Sequence, residues 1–158
     1  MNGELEELRE LYQEMIIDHG RHPRNFKKLV DHSFCQEGYN PICGDRITLY
    51  IKVEDNVIRD ACFEGAGCAI SMASSSLMTE QIKNKTTTEV RQLFEAFHHL
   101  VTEPGPIDKL PDCLGKLTVL GGVREFPSRI KCATLAWHTL NVGLENDFHA
   151  QSQIVSTE

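Results

Sequence analysis

Three cysteines occupy the same kind of position in the sequence, where irregular chain meets a regular element. Cys43 lies in a Pro-Ile-Cys-Gly turn before a strand pattern, Cys68 follows Gly-Ala-Gly before a helix pattern, and Cys132 is predicted in the first turn of the last helix. The N-terminus of a helix carries free N–H groups and the positive end of the helix dipole, so we expect a thiolate at Cys68 and at Cys132. Such junctions tend to lie at one end of a sheet, so the three sulfur atoms are expected to converge.

A carboxylate accompanies the first of these cysteines, because Asp45 follows Cys43 by two residues. Three thiolates and one carboxylate can complete a tetrahedral site for zinc or for an iron–sulfur unit. The carboxylate is the harder and more readily exchanged ligand, so we expect its corner of the site to be the one that can open. Two other interpretations remain: Asp45 could cap a turn, and Cys132 could be a core residue.

The composition is that of an ordinary globular protein. The chain has 158 residues, of which 41% are hydrophobic and 25% charged, and a net charge of -7. The negative charge argues against a general nucleic-acid binder, which normally carries a basic face. No apolar stretch approaches the roughly 20 residues that a membrane span needs, and the N-terminus lacks the apolar core of a signal peptide. We therefore expect a cytoplasmic protein with reduced cysteines and with neither nucleic-acid nor membrane partners.

The elements that must position these residues follow from hydrophobic periodicity. Residues 5–16 have the spacing of an amphipathic helix, and residues 46–54 alternate as a half-buried strand. FCQEGY and VIRDACFE are predicted strands before and after it, the second joined by a turn at Asp55-Asn56. Four helical segments follow. The first begins after Cys68, and the second begins at a Thr86–Glu89 capping box and is ended by residues 104–106. A short third helix over 114–120 is stopped by Gly121-Gly122, and the last helix covers 128–140. This order predicts one α+β domain over residues 1–146 and a flexible tail over 147–158.

Three motifs in order give the chain a family resemblance. They are NPICGD at 40–45, GAGCAISMASSS at 65–76 and RIKCATLAW at 129–137. From about residue 11 to 140 the chain resembles the IscU/NifU/SufU iron–sulfur cluster assembly superfamily. Lys131 stands where the scaffold branch has a His before the third cysteine, and the segment EPGPIDKLPDCLGK resembles an insertion of the SufU branch. Arg129 fits that branch as well.

The resemblance implies a fold, a metal site and a partner. The fold is a small three-stranded antiparallel sheet packed with helices, and the metal ligands are Cys43, Asp45, Cys68 and Cys132. In SufU-like proteins this site holds zinc. The thiol matching Cys43 accepts sulfur from a PLP-dependent, SufS-like cysteine desulfurase, and downstream assembly or acceptor proteins then receive that sulfur. The implied activity is sulfurtransferase-like. Arg129 would steady the site or the incoming anionic sulfur.

Other functions use the same residues. In a scaffold, the three cysteines and Asp45 would hold iron or a nascent [2Fe–2S] cluster, whereas in a structural interaction module they would hold zinc permanently. A cysteine hydrolase would need a His base, for which His138 is the nearby candidate in the sequence. Cys62 is interpreted as a packing residue, and Cys35 and Cys113 have no predicted role.

Overall fold

The structure is a computed structural model that describes residues 2–103 and 111–152, with the side chains of residues 12–103 and 111–147. Within these described residues there are four α-helices, a 3₁₀ segment and three strands. In chain order these are α1 (Asn2–Arg21), β1 (Phe34–Asn40), β2 (Asp45–Glu54), β3 (Val57–Ala66), α2 (Ala69–Ile82), α3 (Thr87–Thr102), the 3₁₀ segment (Asp112–Glu125) and α4 (Pro127–Ser152). The predicted α+β fold, a three-stranded sheet packed with helices, is confirmed.

The sheet is antiparallel with the order β1-β2-β3. Asp55 and Asn56 join β2 to β3 with φ values of 53° and 63°. Two successive left-handed residues are typical of the type I′ hairpin turn, whose twist matches that of the strands. Asn40 pairs with Asp45 at the opposite end of the sheet, where Arg46 also pairs with Ala66. The β1–β2 turn and the exit of β3 therefore lie side by side.

One face of the sheet is buried under the helices. Alternate β2 residues, Ile47, Leu49 and Ile51, are at most 3% exposed and belong to the hydrophobic core. The helices α2 and α4 pack against this sheet and against each other, and α1 and α3 cover them from outside. Within the core, the rings of Phe97 and Trp137 stack with their centroids 4.7 Å apart. This packing fixes α2 and α4 above the end of the sheet that carries Cys43.

Several local predictions are confirmed or corrected by the structure. Both hydrogen bonds of the predicted Thr86–Glu89 capping box are present at the start of α3. The predicted stop at Gly121-Gly122 is wrong, because the 3₁₀ segment continues to Glu125. Gly121 is buried there, and Gly122 has open space around it, so neither glycine interrupts the packing. Helix α3 ends at Thr102, and residues 104–106, predicted to end it, lie outside the described residues.

The predicted end of the domain at residue 146 falls inside α4, which continues to Ser152. Residues 153–158 lie outside the described residues, so the flexible tail stays a prediction. Within the described ranges, none of the helices combines the length and apolar content that a membrane crossing requires.

Candidate metal centre

Three separate elements bring the predicted ligands to one end of the sheet. Cys43 lies in the turn between β1 and β2, and Asp45 is the first residue of β2. Cys68 is the N-cap residue of α2, and its sulfur accepts a hydrogen bond from the backbone N–H of Ser71. Cys132 enters from α4. The expected convergence of the three cysteines is therefore present in the structure.

The distances at this centre suit a single metal ion. The Cys43 sulfur lies 3.1 Å from Asp45 Oδ2 and 3.4 Å from the Cys132 sulfur. One ligand atom from each of these three residues lies within 4.8 Å of the others, and no further group of this kind occurs among the described residues. The Cys68 sulfur is 3.8 Å from Asp45 Oδ2, but it does not belong to the group whose ligand atoms all lie within 4.8 Å of one another.

The donor set and its spacing fit zinc. With metal–sulfur bonds of about 2.3 Å and metal–oxygen bonds of about 2.0–2.2 Å, the corners of a tetrahedral zinc site lie about 3.6–3.8 Å apart. The three sulfur–oxygen and sulfur–sulfur distances at this centre lie between 3.1 and 3.8 Å. Shifts of about half an ångström would bring these three distances to the ligand separations of a zinc site, and Cys68, which lies outside the three-residue group, would have to move further. The four predicted ligands, Cys43, Asp45, Cys68 and Cys132, remain a proposal for ligation.

Asp45 is the most constrained of these residues. It is 2% exposed, and its Oδ1 accepts a hydrogen bond from the backbone N–H of Cys68 at 3.0 Å, while Oδ2 faces the Cys43 sulfur. Gly67, the residue before Cys68, leaves room for this carboxylate, because a Cβ there would lie 2.7 Å from Asp45 Oδ1. The carboxylate therefore ties the start of β2 to the N-terminus of α2, beyond the turn-capping role that sequence alone leaves open.

Asn40 contacts the Cys43 sulfur and was missed by the sequence analysis. Its Nδ2 donates a hydrogen bond to that sulfur at 2.9 Å, and its Oδ1 accepts one from the N–H of Ile42 at 3.1 Å. The hydrogen bond from Ile42 forms an Asx turn. Because this bond requires the Asn40 oxygen as acceptor, it leaves the NH₂ group of Asn40 facing the Cys43 thiol. Gly44 completes the turn with φ of 75°, a conformation that favours glycine. An Asn preceding Pro-x-Cys-Gly is the signal that could have identified this residue.

Cys132 differs from its sequence prediction. It is the sixth residue of α4, which begins at Pro127, so it lies in the second turn and not the first. Its side chain is 1% exposed, and burial, with the neighbouring thiols of Cys43 and Cys68, raises the pKa of Cys132 far above its usual value. The expected thiolate at this position is therefore wrong for the metal-free protein. A bound cation would favour the thiolate form of Cys132 over the thiol, since a coordinating thiol loses its proton.

Arg129 lies at the same centre on the first turn of α4. Its side chain is exposed, and a hydrogen bond with Cys132 and the charge of Cys68 raise the pKa of its guanidinium. The structure therefore places a permanent positive charge beside two of the sulfur atoms. This position is compatible with both roles that the resemblance implies for Arg129.

The remaining candidates lie apart from the centre. The ring of His138 contacts Phe94 and His98 between α3 and α4, and burial lowers its pKa. Cys35 and Cys113 are exposed thiols, and Cys62 is fully buried on β3, consistent with its interpretation as a packing residue. None of these four residues belongs to the group of metal-ligand atoms found among the described side chains.

Comparison with known proteins identifies the family. Residues 11–151 match the family described as NifU-like N terminal domain. The zinc-dependent sulfurtransferase SufU of Bacillus subtilis (strain 168) is 41% identical over 137 residues, which cover 87% of this chain and 91% of that protein. The iron–sulfur cluster assembly scaffold protein IscU of Thermotoga maritima is 40% identical over 135 residues, covering 85% of this chain and 93% of that protein.

A solved structure extends the comparison to the fold. The crystal structure of FiSufU, a SUF-system protein from Fervidobacterium islandicum AW-1, superposes with a TM-score of 0.77 at 33% identity. The match covers 83% of this chain and 94% of that one. The resemblance to iron–sulfur assembly proteins is thereby confirmed, and this chain belongs to the NifU-like N-terminal domain family.

Proposed function

We propose that this protein accepts sulfur on Cys43 during iron–sulfur cluster assembly, with zinc as its resident metal. One observation carries the proposal: the Cys43 thiol is exposed, whereas its neighbours Asp45 and Cys132 are almost completely buried. A closed structural zinc site would enclose all its ligands, but this arrangement leaves one sulfur accessible to another protein. The zinc-dependent sulfurtransferase SufU, at 41% identity, supports the same assignment.

The reaction that these residues suit is attack by a thiolate on a persulfide. The Cys43 sulfur bonds to the outer sulfur of the partner's persulfide, the original sulfur–sulfur bond breaks, and the partner's cysteine leaves as a thiolate. Zinc, when bound, supplies the positive charge that keeps the acceptor sulfur deprotonated at neutral pH. Asn40 Nδ2, 2.9 Å from the Cys43 sulfur, would orient this thiolate before attack, because an N–H donor stabilises an anionic sulfur.

The proposed partner is a PLP-dependent, SufS-like cysteine desulfurase, which forms such a persulfide from free cysteine. Arg129 is exposed beside Cys68 and Cys132, so its guanidinium would attract the anionic sulfur as the partner approaches. Its second possible role, to hold the thiolates in place, uses the same charge. Downstream assembly or acceptor proteins would then receive the sulfur from Cys43.

A scaffold role is the second candidate. The scaffold protein IscU of Thermotoga maritima is 40% identical to this chain, and the same cysteines and carboxylate can bind iron or a [2Fe–2S] cluster. In that role the cluster is cargo, and sulfur would leave Cys43 for iron instead of remaining as a persulfide. A purely structural zinc module would accept no sulfur at all.

The test is to incubate the zinc-loaded protein with a cysteine desulfurase and cysteine, and then to measure intact mass and map the modified peptide. We expect one added sulfur atom on Cys43, none in Cys43→Ser, and an unchanged yield in Cys35→Ser, whose exposed thiol lies outside the centre. Modification of Cys35 alone, or no sulfur on protein that retains zinc, would overturn the proposal. A cluster that forms on added iron without a persisting persulfide would support the scaffold instead.

Metal content is measured on the same preparations. The parent should hold about one zinc ion per chain, and Asp45→Ala and Cys132→Ala should each lose most of it. Because the metal binds the folded state, a chelator should lower the melting temperature of the parent and leave that of the two variants unchanged. Full retention of zinc by both variants would show that the ligand set is wrong.

A further inference from the structure

The two helices that carry Cys68 and Cys132 are joined by a buried hydrogen bond. The hydroxyl of Ser74, on α2, donates to the backbone carbonyl of Ala133, on α4, at 2.6 Å. Ser74 has no exposed surface. Ala133 directly follows Cys132, and Ser74 lies six residues after Cys68, or about 9 Å along the helix axis. The bond therefore connects the supports of two proposed ligands close to the metal centre.

The centre needs a connection of this kind because its ligands come from three elements. Asp45 already ties the β1–β2 turn to the N-terminus of α2, through the N–H of Cys68. Cys132 has no such backbone tie to that pair: its own contacts at the centre are made by the sulfur, 3.4 Å from that of Cys43. The position of α4 relative to α2 and the sheet thus determines where the Cys132 sulfur lies.

Packing on the sheet and on α2 positions α4 as a whole, and the Ser74 hydrogen bond adds a directional constraint on its register along α2. Both helices carry small buried residues, which include Ala73 and Ser75 on α2 and Ala136 on α4. Small side chains permit close approach of two helices, but they offer few ridges and grooves that oppose sliding along the axis. A directional hydrogen bond to one carbonyl does oppose sliding, because its energy falls steeply with distance and angle.

The neighbouring hydroxyls of α2 have different partners. Ser75 donates to the carbonyl of Ser71 within the same helix at 2.9 Å, and it is 2% exposed. Ser76 contacts the His19 ring at 2.7 Å and accepts from the N–H of Arg24, both outside α4. Ser75 is therefore a matched control for Ser74: it has the same chemistry, a similar burial and an adjacent position, without the bond to α4.

We propose that Ser74 is a positioning residue of the metal centre. Its bond to the Ala133 carbonyl fixes the register of α4 on α2 and so holds the Cys132 sulfur within reach of the ion shared with Cys43 and Asp45. The inference rests on the proposed function in one respect, that zinc is the ion bound. The Ser74 hydroxyl touches neither the ion nor the transferred sulfur, and it acts through the backbone of α4.

The expected effect is on metal affinity. Loss of an outer hydrogen bond that orients a ligand typically weakens metal binding by about 10–100-fold. We therefore expect Ser74→Ala to raise the zinc dissociation constant by about tenfold or more and Ser75→Ala to change it by less than about twofold. Both variants lose one buried hydroxyl, so their metal-free forms should show similar, small decreases in melting temperature.

The experiment compares the parent, Ser74→Ala and Ser75→Ala by zinc titration against a chromophoric chelator, with circular dichroism of each metal-free protein. Equal zinc affinities in the two variants would overturn the role of Ser74, whereas absence of zinc binding by the parent would overturn the proposed function. If metal-free Ser74→Ala is unfolded, the rate of zinc release from the loaded, folded protein into excess chelator replaces the titration. A rate equal to that of loaded Ser75→Ala would then reject the proposal, and a faster one would support it.

Discussion

Replacement of Gly67 by alanine tests whether Asp45 really links the strand to the helix at this centre. The backbone of Gly67 lies outside the left-handed region, so an alanine there causes no strain of its own. Its added Cβ, however, would lie 2.7 Å from Oδ1, 2.9 Å from Cγ and 3.2 Å from Cβ of Asp45. The carboxylate cannot rotate away freely, because it is 2% exposed and both oxygens have partners.

The size of the effect follows from these distances. Ordinary contacts begin at 3.4 Å, so Oδ1 must retreat by the difference between 3.4 and 2.7 Å, or 0.7 Å. If Oδ1 retreats directly away from the Cys68 N–H, their 3.0 Å separation grows to about 3.7 Å, which is beyond hydrogen-bond range. A hydrogen bond to a charged group contributes about 1.5–3 kcal/mol, so we expect Gly67→Ala to lower the free energy of unfolding by about 2 kcal/mol.

The assay is urea denaturation of the metal-free protein, followed by zinc titration. Gly122→Ala is the matched control, because Gly122 is exposed, lies outside the left-handed region and has no atom within 4 Å of the added Cβ. Its stability should equal or slightly exceed that of the parent. Gly67→Ala should also bind zinc about tenfold more weakly, since Asp45 moves. Equal unfolding free energies for the two alanine variants would refute the argument that Gly67 makes room for the carboxylate.

Two further predictions concern stability away from the centre. Thr86→Ala removes the hydroxyl that accepts the Glu89 N–H at 3.1 Å, keeps the 2.9 Å bond from its own backbone N–H to the Glu89 side chain, and should cost about 1 kcal/mol in urea denaturation. A loss no larger than that of Thr87→Ala would contradict the capping role. Burial of its ring lowers the pKa of His19 in the folded protein. As the pH falls, the unfolded chain therefore binds a proton on His19 before the folded protein does, so the free energy of unfolding should fall below about pH 6.5. In urea titrations between pH 7.5 and 5, His19→Gln should lose less stability than the parent, and equal losses would show that another group is responsible.

The parts of the fold that sequence predicted well are those with a local cause. Asp55-Asn56 between two alternating stretches specifies the hairpin turn, since both residues tolerate a left-handed backbone. The capping box at Thr86 is similarly local, because its two partners lie within one helical turn. Cys68 was placed correctly at the start of a helix by the glycines before it and the small residues after it.

The features that sequence could not predict depend on contacts between distant segments. The burial of Cys132 results from packing of α4 against α2 and the sheet, and it outweighs the helix-terminus effect expected from sequence. The same holds for Ser74: the run Ser74–Ser76 reads as three equivalent small residues, yet its hydroxyls bond to α4, to α2 itself and to α1. Identical residue types thus acquire different roles according to which neighbour each faces.

The sequence alone leaves two corners of the proposed metal centre that could open, Asp45 and the Cys43 turn, and the structure favours one of them. Ligand chemistry alone favours Asp45, because a carboxylate exchanges more readily than a thiolate. Asp45, however, is 2% exposed and held through both oxygens, whereas Cys43 lies exposed in a turn whose Gly44 can change conformation without strain from a side chain. Displacing Asp45 would break the link between β2 and α2, but displacing Cys43 breaks contacts mainly within its own turn, such as that with Asn40. The mechanical constraint therefore outweighs the ligand preference, and we expect Cys43 to be the corner of the proposed centre that a partner protein draws out.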